Sequence, residues 1–382
     1  MKIAIISSYS WIKRENNYGA LLQYYALQKH LTKQGHQVYW IRYNPVTKMS
    51  KSRSKFRFFL SKLKRQFVAI LKKEVTYQIK QCFADFEKFL ENEINLSQHE
   101  YKTLEGLKLN PPEADIFITG SDQVWLGLTK ANYLDFVSNN KLKFSYGASF
   151  GKNIIAEDIK EEVKNYLNQF NKISVREKEG LDICKELGRK DAIQVIDPTM
   201  ILDKSEYLQF KNTPVKNTYK KFIMCYFLNV YNSSNIYFNQ IEEYTKQQKL
   251  NLQVVPVQGS EYIFPSRFIK MPSPESWLFN INNAEGIITN SFHGTVFSII
   301  MRRPFLVFLQ SGSSSVQNCR FFSLLKRLGL ESRIYNPNKP IHEQMKSEIN
   351  WDNVIKEQQA FRETSIEFLD SCIKEIEITE SN

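Results

Sequence analysis

His293 is one of five histidines in a chain of 382 residues, and it stands beside Gly294 in the stretch GIITNSFHGTVFSIIMRRPFLVF, residues 286–308. An imidazole is the side chain best matched to moving a proton near neutral pH. Ile287-Ile288 reads as a short buried run, and Thr289-Asn290-Ser291 are turn and helix-capping types. Val296, Ile299 and Ile300 then recur at helical spacing, Arg302-Arg303-Pro304 stops the helix, and Phe305 to Phe308 reads as another buried strand. This order predicts His293 in the first turn of a short helix at the carboxyl end of a parallel strand. Open α/β sheets bind their ligands at that edge. A lone histidine beside a helix start is also often only a satisfied polar residue.

Other strand ends carry polar or small residues. Asn16, Asn17, Tyr18 and Gly19 fall at the start of a helix in NNYGALLQYYALQ (16–28), where exposed amides suit an anion or sugar hydroxyls. Neither GxGxxG nor GxxxxGK[ST] occurs, so nothing supports a nicotinamide site or a phosphate-binding P-loop. In TGSDQVW (119–125), Gly120, Ser121, Asp122 and Gln123 lie just past a strand and suit sugar recognition; a turn with Asp122 capping a helix reads equally well. Arg176 follows the strand in SVRE, either as a clamp for carboxylate or phosphate or as the partner of Glu177 in a structural ion pair. Arg320 opens a helix after a Ser/Gly-rich loop (311–315) that could close over a ligand. Arg302 and Arg303, at a helix end, read as surface charges that offset the helix dipole.

These residues need elements to carry them. Strands are predicted at Ile3–Ile6, 37–43, 114–120, 142–151, 172–177 and 192–198. The intervening helices run from about Ala20 to Thr32, through CFADFEKFLENEI, over 158–170, and on to Leu187. Pro198 and the polar KNTPVKNTYKK (211–221) mark a hinge. Strands then resume at 222–228 and 252–257, and a last helix pattern runs from Val354 to Ile376, long enough to cross back over the first half. Such alternation implies parallel sheets with helices on both faces, and the length suits two domains of roughly 150–200 residues each. The expected divisions are 1–200, with an insert at 45–80, then 201–345, then a terminal helix over 346–382.

A hydrophobic content of 42% and aromatic content of 13% are ample for two cores. Five scattered cysteines without a CxxC pair favour reduced thiols in a cytosolic protein. The first apolar run is too short for a signal peptide, and no window approaches a membrane span. The net charge of +12 is uneven: Lys48 to Lys73 holds ten Lys/Arg and no acidic residue. Phe56, Phe59, Leu60, Leu63, Phe67, Ile70 and Leu71 are spaced there as in a basic amphipathic helix. That helix either packs its Phe face on the domain or rests on an anionic membrane. No nucleic-acid fold signature accompanies it, and no His/Asp/Glu cluster has metal-ligand spacing, so no bound metal is expected.

Taken together, NNYGALLQYYALQKHL, FITGSDQVW, FSYGASFG, ISVREKEG, QVIDPTMIL, ITNSFHGTVFSIIMRRPF and NCRFFSLLKRLGL resemble the polysaccharide pyruvyl transferase family, in family order from residue 3 to about 330. The resemblance implies a GT-B-like α/β fold, two Rossmann-type doubly wound domains facing across a cleft. It implies transfer of pyruvate from phosphoenolpyruvate, a co-substrate and not a cofactor, to two hydroxyls of a free or lipid-linked sugar, giving a cyclic ketal. Arg176 and Arg320 match the family's arginines and would hold the donor. His293 matches its His-Gly motif and would serve as general acid and base. Gly294 would let the backbone approach the donor phosphate, and Ser291 and Thr295 would add hydroxyl contacts. Asn16, Asn17, Tyr18, Gly19, Ser121, Asp122 and Gln123 fall to the acceptor, on the side of the first domain, the second being the donor side. A helix dipole opposes an imidazolium at position 293 and a bound phosphate favours one, so the ring is expected to take up its proton with the donor. A cytoplasmic enzyme of capsule or exopolysaccharide synthesis at the inner face of a bacterial membrane would fit. The alternative is a GT-B glycosyltransferase using a nucleotide sugar.

Overall fold

The computed structural model describes residues 1–8, 16–45, 72–210, 221–257 and 260–379. Five parallel strands, β1 (Lys2–Ile6), β2 (Gln37–Tyr43), β3 (Leu96–Tyr101), β4 (Ile116–Thr119) and β5 (Leu142–Ser145), form one sheet in the order β3-β2-β1-β4-β5. The short pair β6 (Ser174–Val175) and β7 (Ile193–Gln194) extends it through bridges from Phe144 to Lys172 and from Ala148 to Val175. In the second half β8 (Phe222–Leu228), β9 (Asn251–Val257), β10 (Gly286–Thr289) and β11 (Phe305–Val307) form a parallel sheet ordered β11-β10-β8-β9.

Helices in the first half are α1 (Tyr18–Lys33), α2 (Lys73–Glu93), α3 (Leu104–Leu109), α4 (Glu157–Leu167), α5 (Lys178–Glu186) and α6 (Lys204–Tyr207). The rest are α7 (Phe238–Gln247), α8 (Pro274–Asn283), α9 (Phe292–Ile300), α10 (Cys319–Arg327), α11 (Ile341–Lys346) and α12 (Trp351–Thr379). Central strands such as KIAII and FIMCYFL are buried on both faces, which is why they read as apolar runs without alternation. The larger apolar core is continuous through both halves, joining Ile3, Leu21 and Met200 to Ile223, Val296 and Phe297. All nine residues of α9 are buried, because this helix is enclosed by its own sheet on one side and by α1 and the turn Pro198–Met200 on the other.

α12 returns to the first half. Ser365 Oγ accepts from Ile196 N at 2.8 Å, Arg362 Nε donates to Met200 O at 2.9 Å, and Lys172 Nζ donates to Ser371 O at 2.8 Å. Among the described residues no helix is long and apolar enough to cross a membrane.

Several sequence expectations need revision. β3, LSQHEY, is absent from the strands expected because its middle is exposed and polar; it is an edge strand with only Ser97 and Tyr101 buried. The strand expected over 142–151 stops at Ser145, and the chain bends on through Gly147 and Gly151, which have φ of 61° and 62°. The Ser/Gly-rich loop at 311–315 is part of a 3-10 segment, Gly312–Asn318. The basic amphipathic stretch at 48–73 and the hinge at 211–221 fall almost wholly outside the described residues.

Candidate active site

The two sheets present the ends of β6, β7 and β10 to one another. Arg176 follows β6 directly, its backbone N–H bonded to Ala148 O at 3.2 Å. Asp197 lies just beyond β7, where it caps the 3-10 turn Pro198–Met200. His293 occupies the first turn of α9, whose N-cap Ser291 accepts from Gly294 N at 3.3 Å.

Arg176 is the hub. Its Nη1 donates to Asp197 Oδ2 at 2.9 Å. Nη2 lies 4.0 Å from Asp122 Oδ1 and Nε lies 3.8 Å from Glu177 Oε2, yet neither nitrogen has a hydrogen-bond partner among the described residues. The guanidinium stacks over the Phe292 ring at 4.3 Å, and Arg320 approaches the same ring at 5.7 Å. Arg320 is otherwise held by Gln317, through its Nε to the backbone O and its Nη2 to Oε1, both at 3.1 Å. The ion pair expected with Glu177 is present at 3.8 Å, and Asp197 is the carboxylate that Arg176 hydrogen-bonds.

Two arginines and three carboxylates give this cluster a formal charge of 2 − 3 = −1 before His293 is counted. Burial disfavours the Arg176 charge, but Asp197, Glu177 and Asp122 outweigh it and hold the group above its ordinary value. Burial and then the Arg176 charge pull the Arg320 guanidinium down to about 10, so it remains a cation at neutral pH. The Asp197 carboxyl is pushed up by burial, yet His293, Arg176 and Thr199 together hold it well below the usual carboxylate range. Asp122 is likewise held low against its burial, first by Arg176 and then by His293 and Arg320.

His293 lies between two neighbours. Its Nε2 is 3.4 Å from Asp197 Oδ2, an ion-pair distance without hydrogen-bond alignment. On the other side the ring fills the place of a side chain at Gly19. A Cβ built there would stand 2.2 Å from His293 Cγ and 2.3 Å from Nδ1.

The other candidates divide into those beside this cluster and those engaged elsewhere. Ser121 Oγ lies between Arg176 Nη1 at 3.5 Å and Asp197 Oδ2 at 3.4 Å, and Asp122 Oδ2 accepts from Ser8 Oγ at 3.1 Å. Asp122 caps no helix; it sits at φ 82°, a strained conformation for a non-glycine residue. Gln123 packs against Gly151, its Nε2 buried without a partner among the described residues. Asn17 caps α1 by accepting from Ala20 N at 3.2 Å. Asn16 and Tyr18 tie the halves together: Asn16 Nδ2 donates to Pro256 O at 2.9 Å and Tyr18 O–H to Pro272 O at 2.7 Å, with the Tyr18 ring stacked on Trp277. Thr295 Oγ1 is spent on Ser291 O at 3.1 Å. At Gly294 a Cβ would meet Thr289 Oγ1 at 2.4 Å and Tyr226 Cδ1 at 2.9 Å, so the glycine packs α9 onto its own sheet.

Sequence reasoning passed over Asp197 and Phe292 as site residues. The signal for Asp197 was present, an Asp-Pro pair closing a short buried strand at the sheet edge that carries Arg176. Phe292 had no local signal, since its face toward two arginines comes from elements far apart in sequence.

Two parallel α/β sheets meeting over a buried Arg–Asp–His cluster form a GT-B-like fold. Solved structures of this fold include a UDP-N-acetylglucosamine 2-epimerase from Rickettsia bellii, 10% identical with a TM-score of 0.58, over 99% of this chain and 97% of that one. Another is the Methanocaldococcus jannaschii UDP-GlcNAc 2-epimerase in complex with UDP-GlcNAc and UDP, 12% identical with a TM-score of 0.53, over 97% and 100% of the two chains. No curated protein matches the chain in sequence. The family model for polysaccharide pyruvyl transferase matches residues 17–312, so the chain belongs to that family and is a transferase.

Proposed function

We propose that the enzyme transfers pyruvate from phosphoenolpyruvate to two hydroxyls of a sugar, forming a cyclic ketal and releasing phosphate. The observation that carries this reading is the pair of buried guanidiniums, Arg176 and Arg320, on one phenylalanine beside His293, with Nε and Nη2 of Arg176 lacking a hydrogen-bond partner among the described residues. A donor bearing both carboxylate and phosphate needs two such cations, and unpaired buried N–H groups are the physical mark of a ligand site. The sugar acceptor enters beside Ser121, Asp122 and the start of α1.

The cavity among Arg176, Asp197, Phe292 and Arg320 is about 10 Å³, room for about one water. Arg176 and Asp197 come from the first half, and Phe292 and Arg320 from the second. Donor entry therefore parts the two halves, and closure brings the arginines back onto it.

Calorimetric titration with phosphoenolpyruvate, with UDP and UDP-GlcNAc as controls, tests the reading directly. Saturable binding of phosphoenolpyruvate, and phosphate release with one or more members of a panel of hexosides, is expected. UDP binding with no response to phosphoenolpyruvate would transfer the enzyme to the nucleotide-sugar glycosyltransferases.

Gly19→Ala provides a second check. Alanine favours a helix by about 1 kcal/mol over glycine, but its methyl would occupy the position of the His293 ring. Displacing the ring by about 1 Å is enough for a loss of roughly 10²-fold in turnover. Circular dichroism should show an intact fold, and turnover within a few-fold of wild type would show that the ring position is not critical.

A further inference from the structure

Three carboxylates surround Arg176, and they differ in what they can reach. Asp197 and Glu177 are each 1% exposed, whereas Asp122 is 15% exposed. Asp122 Oδ2 accepts from Ser8 Oγ at 3.1 Å. Its Oδ1 lies 4.0 Å from Arg176 Nη2, a nitrogen without a hydrogen-bond partner among the described residues. The residue stands at φ 82°, where a glycine would sit without strain. Its backbone is fixed there: the carbonyl accepts from Val124 N at 2.7 Å and Ser149 N at 3.0 Å, and a bridge to Ala148 ties it to the stretch after β5. Strain that the surrounding structure enforces points to a use for the side chain it presents.

We propose that Asp122 is a catalytic residue, the general base that takes the proton from the first acceptor hydroxyl. A carboxylate that reaches solvent beside the arginine given to the donor can meet donor and acceptor at once. The other two are engaged in the interior. Asp197 accepts from Thr199 N, Thr199 Oγ1 and Arg176 Nη1, and Glu177 Oε1 accepts from Ser149 Oγ at 2.6 Å and Gly151 N at 3.3 Å. Burial alone would raise the Asp122 carboxyl, but Arg176, then His293 and Arg320, hold it below its ordinary value. A donor anion resting on those cations offsets their charge, so the carboxylate gains basicity once phosphoenolpyruvate is in place.

The role rests on the pyruvyl-transfer reading for its chemistry, and the proton balance closes. The methylene carbon of phosphoenolpyruvate takes a proton from the His293 imidazolium, the π pair becoming the new C–H bond. C2 then takes the oxygen of the first hydroxyl, whose proton passes to the Asp122 carboxylate. The C2–O bond to phosphate breaks with its electron pair, and the leaving phosphate takes that proton from Asp122. The second hydroxyl oxygen closes the ring on C2, and its proton replaces the one His293 gave up. Both side chains end in the state in which they began.

Two variants test the role, with phosphate release on a hexoside acceptor as the rate and calorimetry for the donor. Asp122→Asn keeps the shape and tolerates the left-handed backbone, but it accepts no proton. Its turnover should fall about 10²–10⁴-fold, with phosphoenolpyruvate affinity unchanged or tighter because a negative charge has left the anion site. Asp122→Gly takes φ 82° without strain and leaves room where the carboxylate stood. Added formate, a small carboxylate, should restore part of its lost rate in a saturable way. A residue that only orients Arg176 would instead weaken donor binding, and formate would not restore the rate. Asp122→Asn turnover within a few-fold of wild type, loss of donor affinity, or no response to formate each overturns the proposal. Should Asp122→Asn fail to fold, the formate response of Asp122→Gly decides. Failure of wild type to bind phosphoenolpyruvate overturns the donor reading and this step with it, whereas wild-type turnover with Asp122→Asn unimpaired overturns the step alone.

Discussion

His293→Asn is expected to lower turnover by about 10²–10⁴-fold, the range for removal of a general acid or base, while phosphoenolpyruvate still binds. Asparagine is polar and short enough to rest on Gly19, but it takes up no proton under working conditions. The two functions of the position therefore separate in this variant: packing against α1 is kept and proton transfer is lost. Phosphate release with a hexoside acceptor gives the rate, and calorimetry gives the donor affinity. Unchanged turnover would remove His293 from the chemistry and leave it as a spacer between Asp197 and Gly19. The side chain is only 8% exposed, so a thermal melt close to that of wild type is the control that separates lost chemistry from lost packing.

Arg176 carries the second large effect, and the choice of substitution decides what is learned. Arg176→Ala leaves Asp197, Glu177 and Asp122 with one remaining cation, Arg320. Removing one partner of a buried ion pair commonly costs about 3–5 kcal/mol of stability, so that variant tests the fold more than the site. Arg176→Lys retains the charge but loses the planar fork and the stacking on Phe292. Losing one or two charge-assisted hydrogen bonds to the donor, each about 1.5–3 kcal/mol, predicts phosphoenolpyruvate affinity at least about tenfold weaker with the fold intact. Affinity within twofold of wild type would take Arg176 out of the donor site.

The same substitutions should shift acid stability in a defined direction. Asp197 and Asp122 are held low in the folded chain, so their contribution is full above the unfolded carboxylate value of about 3.9 and is lost as pH falls through their folded values. Without Arg176 those folded values rise toward the ordinary one. Thermal melts should therefore show wild type losing stability as pH falls below about 5, and Arg176→Ala, already less stable at pH 7, losing less over the same acid range.

Much of the frame was legible along the chain because it depends on local regularities. Apolar runs buried on both faces marked β1, β4, β8 and β10, the Asn17 and Ser291 caps set the starts of α1 and α9, and the run of strands and helices implied parallel sheets. Motif order placed Arg176 and His293 at strand ends, and the family match over residues 17–312 agrees with the resemblance drawn from those motifs. β3 was not legible, because an exposed edge strand lacks the apolar signal that burial imposes on its neighbours. Only the tertiary structure decided who meets whom. Gly19 and His293, 274 positions apart, touch because α1 and α9 pack across the two halves. Asp197 faces His293 because the turn after β7 is held against α9, and Gly294 lets α9 pack closely on its own sheet. Local sequence determines which residues end a strand or open a helix, since that is settled within a few residues by backbone geometry and capping. Which of those ends face one another is set by the burial of a core shared between the halves, and no stretch of the chain carries that information alone.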